Sequence, residues 1–113
     1  MKYDETPLLS PTATTDAAEL GSRLARLRKA RRLRQQDAAL RAGLSRSTAA
    51  LIEKGDPGRT VAQVLRYLDA IAPGTTLVDL LLGKDPALAA LQQAEATQRV
   101  RLLSDTELKK LDF

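Results

Sequence analysis

The side chains with chemistry to offer are carboxylates, guanidinium groups and hydroxyls, because the chain has no cysteine and no histidine. Disulfides, thiolate or imidazole metal ligands, and mechanisms that need a Cys nucleophile or a His base are thereby excluded. Asp37, Glu53 and Asp56 supply carboxylates, but no pair has a spacing that predicts general acid–base work, and there is no glycine-rich phosphate loop. The sequence therefore predicts no enzyme, no metal and no cofactor. What remains is binding chemistry. Arg23, Arg26, Arg28, Lys29, Arg31, Arg32 and Arg34 form a run with no acid between them, and Arg46 stands between Ser45 and Ser47. Guanidinium groups bond phosphate oxygens, and one can bond guanine O6 and N7 together.

Charge is unevenly distributed. The chain carries eighteen basic and fourteen acidic residues, net +4. Residues 1–15 hold one base and two acids, residues 85–113 four bases and five acids, and residues 16–84 thirteen bases and seven acids, net +6. The positive charge belongs to the middle of the chain. One Phe and two Tyr argue against a single-strand platform of stacking rings. For the basic run, a solvated helix surface competes with phosphate binding, and its position beside the segment described next favours phosphate. No stretch approaches a membrane span and no secretory leader is visible, so the expected location is cytoplasmic.

The elements that must hold these groups are helices. Residues 1–15, with Pro7, Pro11 and a Ser/Thr cluster, read as a flexible arm. Asp16 and Glu19 have capping-box spacing before Leu20, Leu24 and Leu27, predicting a first helix from Asp16 to Arg31. Gln36 to Ala42 fits a second helix stopped by Gly43, and Ser45 caps a third, Arg46 to Lys54, stopped by Gly55. Thr60 caps a fourth, Val61 to Ala72, with Val61, Val64, Leu65, Leu68 and Ile71 on its buried side. Thr76 caps a fifth, Leu77 to Leu82. Asp85-Pro86 opens a sixth, to about Thr97, and Ser104 with Glu107 is a further capping box. With no segment patterned as a strand, the fold is all-α: a five-helix domain over residues 16–84 and a C-terminal helical extension over 85–113.

The stretch from Leu33 to Gly55 is thus a short helix, a tight glycine turn and a second short helix. That spacing is a helix-turn-helix, whose second helix fits a major groove about 12 Å wide. Arg28, Leu33, Gln35, Ala39, Gly43, Ser45, Ile52, Glu53 and Gly55, in their intervals, make residues 20–82 resemble the Cro/phage-repressor type (XRE) of helix-turn-helix regulator, with a lambda-repressor-like fold. The resemblance implies double-stranded DNA as partner and a homodimer on a palindromic operator, with recognition helices about 34 Å apart. It assigns Ser45, Arg46, Ser47 and Ala50 to base edges, with Arg46 the main reader or else a phosphate contact. Gln35 goes to phosphate, with Arg34, Gln36, Thr48, Lys54 and Arg59 also placed there; Thr48 could instead turn inward. Arg28 and Glu53 become a structural ion pair.

Departures from the family pattern carry their own expectations. Arg34 stands where Thr, Ser or Asn commonly caps helix two. Ala38, Ala42 and Ala49 replace larger core residues, so either the helices pack closer or Leu40, Leu44 and the C-terminal leucines fill the space. Leu51 could touch a thymine methyl or simply be packed. Leu77, Leu80, Leu81 and Leu82 offer a dimer surface, or pack against the segment from Leu88 to Leu91. The tail from Val100 to Phe113 could dock a partner as an amphipathic helix. A second reading is an antitoxin, similar to HipB-like proteins, that represses its own operon and binds a HipA-type kinase toxin. A third is an interaction adaptor that does not read DNA.

Overall fold

The computed structural model describes the backbone of residues 6–111 and the side chains of residues 7–102. A 3-10 turn at Thr6–Leu8 precedes six α-helices: α1 Pro11–Ala30, α2 Gln35–Ala42, α3 Arg46–Lys54, α4 Val61–Ile71, α5 Leu77–Leu81 and α6 Pro86–Leu111. No strand occurs among the described residues, and the fold is all-α. No described helix is long and apolar enough to cross a membrane.

Local chemistry explains the helix ends. Ser45, Thr60 and Thr76 accept hydrogen bonds from Thr48 N, Gln63 N and Asp79 N, and Gln63 returns a bond to Thr60 N to complete a capping box. Gly43 and Gly55 close α2 and α3 at φ 69° and 78°, a left-handed conformation that costs glycine no Cβ clash. α1 starts at Pro11 rather than Asp16, because Ser10 accepts from Ala13 N at 3.0 Å and Pro11 needs no donor in the first turn. Asp16 and Glu19 form no cap there. Arg31 caps the end of α1, and Arg32 takes the left-handed position (φ 57°) while Leu33 N bonds back to Arg28 O. α6 runs unbroken past Ser104, so no new helix starts at that residue.

The core joins Leu24 and Leu27 of α1, Ala38, Ala39 and Ala42 of α2, Ala49 and Ile52 of α3, and Tyr67, Leu68 and Ile71 of α4, with Leu80 and Leu88 below. The alanines are buried, so the helices pack closely; Leu44 packs against this core, whereas Leu40 is 80% exposed and fills nothing. On α4 the inner face is Tyr67, Leu68 and Ile71, and Val61 and Leu65, expected inside, are exposed. α1 and the end of α3 approach closely. A Cβ on Gly21 would lie 2.5 Å from Gly55 N, and one on Gly55 would lie 2.4 Å from Ala17 O. Only hydrogen fits at either position.

α6 is held by its first half. Asp85, 2% exposed, accepts from Ala87 N and Leu88 N to cap α6, from Arg31 at 2.7 Å and from Thr75 at 3.1 Å. Burial alone would push this carboxyl up, but those donors and the Arg31 charge hold it below the usual carboxylate range. Glu95 pairs with Arg26 at 3.1 Å. Residues 96–102 are exposed throughout. The tail residues beyond 102, proposed from sequence as a docking face, lie outside the described side chains.

Candidate nucleic-acid interface

The two short helices on either side of Gly43 present the groups singled out by sequence. α3 begins with a hydroxyl cluster. Ser45 Oγ accepts from Thr48 N at 3.1 Å, donates to Thr48 Oγ1 at 2.9 Å and lies 3.2 Å from Ser47 Oγ. Ser45 and Thr48 are therefore occupied in holding the helix start. Arg46 and Ser47, on the first turn, are exposed, and no bond ties the Arg46 side chain to the rest of the described protein. Ala50 and Leu51 are half-buried.

At the start of α2, Arg34 makes no side-chain cap; its Nε donates to Asp37 Oδ2 at 2.9 Å and the side chain is 75% exposed. An exposed pair of this kind contributes about 0–1 kcal/mol, so Arg34 can exchange Asp37 for another anion at little cost. Gln36 is exposed. The Gln35 side chain turns inward, its Nε2 donating to Glu53 Oε1 at 3.1 Å, so its backbone N–H is what the helix start offers to an anion. Lys54 is exposed at the far end of α3. Arg59 departs most from the expected phosphate position. It is half-buried beside an apolar cavity of about 180 Å³ bounded by Leu20, Ile52, Val64 and Leu77, and its Nε has no hydrogen-bond partner.

Beneath this surface lies a four-residue network. Arg28 donates from Nε to Glu53 Oε2 at 2.6 Å, from Nη2 to Glu53 Oε1 at 3.1 Å, and from Nη1 to Leu33 O at 2.8 Å. Gln35 and the Tyr67 hydroxyl also donate to Glu53. The Arg28 and Glu53 side chains are 13% and 8% exposed. Burial pushes the Glu53 carboxyl up, but the bonds from Arg28, Tyr67 and Gln35, with the Arg28 charge, outweigh it and hold the group below the usual carboxylate range. Burial and the Glu53 carboxylate keep the Tyr67 hydroxyl protonated well above its ordinary value. The network ties α1, α2, α3 and α4 at one point directly behind the candidate interface.

Most of the basic run has partners within the protein. Arg23 donates to the Leu80 and Leu81 carbonyls at 3.3 and 3.0 Å and pairs with Glu19. Arg26 and Arg31 pair with Glu95 and Asp85, and Arg28 with Glu53. Four arginines of the run thus clamp α1 to the rest of the chain. Lys29 and Arg32 remain exposed.

The expected dimer leucines divide. Leu81 and Leu82 are exposed (47% and 61%), Leu77 packs partly against the core, and Leu80 is fully buried and so unavailable to a partner. Two residues that sequence reading passed over are central: Tyr67, whose hydroxyl anchors Glu53, and Arg66, which donates to the Ala42 and Gly43 carbonyls. A tyrosine on the apolar face of α4 was the available signal for the first, since a buried hydroxyl needs a partner. Arg66 carried none.

No match was found among curated proteins or among solved structures. A family model described as a helix-turn-helix domain matches residues 19–81, more than half of the chain and the whole of α2, α3 and α4. With a glycine-turned helix pair set on a core of α1, α4 and α5, the chain belongs to the helix-turn-helix domain family of DNA-binding regulators.

Proposed function

We propose that this protein is a sequence-specific double-stranded DNA-binding transcriptional regulator, acting as a homodimeric repressor on a palindromic operator. The observation that carries the reading is Arg46: an exposed guanidinium on the first turn of α3, with no partner in its own protein among the described residues, flanked by a helix start that Ser45 and Thr48 hold rigid. Arg46 and Ser47 are assigned to base edges, with Ala50 and Leu51 behind them. Arg34, Gln36, the Gln35 N–H and Lys54 are assigned to the flanking phosphates. Thr48 Oγ1 accepts from Ser45 and keeps its own hydroxyl proton for a phosphate oxygen, whereas Arg59, half-buried beside the apolar cavity, is left out of the phosphate set. Leu81 and Leu82, exposed at the end of α5, support pairing of two copies through that helix. The C-terminal helix, exposed over residues 96–102, favours one second reading, an antitoxin whose tail meets a toxin.

Arg46→Ala provides the test. With the protein's own upstream DNA and an unrelated duplex, fluorescence anisotropy is expected to show wild-type preference for the former. The variant should lose about 1–3 kcal/mol of that discrimination, roughly 5-fold to 150-fold, while binding the unrelated duplex with little change. No wild-type preference, or equal losses on both duplexes, contradicts the assignment.

A further inference from the structure

We propose that Arg66 is a positioning residue for base reading: it fixes the angle between α2 and α3 from outside the helix pair. Its Nε donates to Ala42 O at 3.1 Å and its Nη2 to Gly43 O at 2.9 Å. Ala42 is the last residue of α2, and Gly43 is the left-handed residue at which the chain changes direction. These carbonyls lie at the negative end of a helix, where a cation is favoured, and a guanidinium fork satisfies two of them from fixed directions.

Position 43 is shaped to receive this group. A Cβ there would stand 2.8 Å from Arg66 Nη2, so glycine at 43 supplies both the positive φ and the room for the guanidinium. The neighbour of Arg66 on α4 completes the device. Tyr67 holds the Glu53 carboxylate on α3, while Arg66 holds the end of α2. Two consecutive residues of one helix thus grip both members of the pair, and their separation along α4 sets where α3 points relative to the α2 start. Phosphate anchors lie at that start and base readers on the first turn of α3, so a change in the angle moves one set against the other. Even a 1 Å misplacement can cost a large factor in a geometry-dependent contact.

The inference rests on α3 being the base-reading helix, and the competing role for an exposed arginine is a direct phosphate contact. Three measurements on full-length Arg66→Ala and Arg66→Lys separate them. First, residual dipolar couplings of the free protein report the α2–α3 angle without DNA. A changed angle in Arg66→Ala with the fold retained is expected, and an unchanged angle overturns the proposal. Second, the preference for upstream over unrelated duplex should fall about tenfold in Arg66→Ala, with the salt slope unchanged. A loss equal on both duplexes, with the slope reduced by about 0.9, means a phosphate contact and overturns it. Third, Arg66→Lys keeps the charge but not the fork, so only partial recovery is expected; full recovery overturns it. If Arg66→Ala fails to fold, the same angle and preference are read on Arg66→Lys. Absence of any wild-type preference would remove the functional reading, while the couplings would still decide the positioning role.

Discussion

Glu53→Ala is expected to lower the unfolding free energy by about 3–5 kcal/mol, because it leaves a buried guanidinium without its counter-ion. The pair is largely shielded from solvent, at 13% and 8% exposure, so screening does little to soften the loss. Arg28 would keep only the Leu33 carbonyl, and the Tyr67 hydroxyl and Gln35 amide would lose the acceptor they share. For a domain of this size that corresponds to a fall in Tm of about 10 °C or more. Thermal unfolding followed by circular dichroism measures it, and an unchanged Tm contradicts the structural assignment. Glu53→Gln should fall between, keeping the shape and losing the charge.

The same carboxylate gives the expected pH dependence its sign. Glu53 and Asp85 are both held below the ordinary carboxylate range in the folded chain. Their contribution is therefore complete above the unfolded carboxyl values, about 4, and is lost as pH falls through the lower folded values. Stability should be level on the neutral side and fall on the acid side, with a shallower acid slope in Glu53→Gln.

Gly21→Ala is expected to destabilise the domain by about 2 kcal/mol or more, against the intrinsic preference of a helix interior for alanine by about 1 kcal/mol. The added Cβ would meet Gly55 N at 2.5 Å, Ile52 O at 2.6 Å and Glu53 O at 2.7 Å. All three are backbone atoms, so relief requires α1 to move away from α3, and Glu53 would be carried with it. Ser22→Ala, on the exposed neighbouring position of the same helix, is the control. Denaturant unfolding of both variants decides the matter; a more stable Gly21→Ala means that the helices do not approach this closely.

Sequence carried the helices further than it carried their contacts. The start of α3 follows from Ser45, and the ends of α2 and α3 from Gly43 and Gly55, because caps and left-handed turns are local chemistry. The early start of α1 was hidden because Ser10 and Pro11 lie in a Pro- and Thr-rich stretch that has the composition of an arm. Gly21 carries no signal of its own in the sequence, since only the crossing with α3 reveals that a methyl cannot fit. The partners of the basic run were hidden for a related reason. Charge density is visible in the sequence, but the Leu81 carbonyl that accepts from Arg23, and the Glu95 and Asp85 carboxylates that pair with Arg26 and Arg31, lie more than fifty residues away. Arg46 and Lys54, by contrast, were legible as surface groups because they flank helix ends with no apolar periodicity of their own.

In the proposed function α2 and α3 grip a DNA duplex through a few cations on each of two copies, so binding should weaken steeply with salt. Arg34 and Lys54 are the cations assigned to phosphate in one copy, which makes four in a dimer. With a slope of about −0.9 per phosphate, affinity for the upstream duplex should fall about 150-fold between 50 and 200 mM salt. A single copy engaging two phosphates would lose only about 12-fold. Anisotropy titrations at the two salts are predicted to give the larger figure. An affinity that does not change with salt, or no binding at either concentration, would contradict the account.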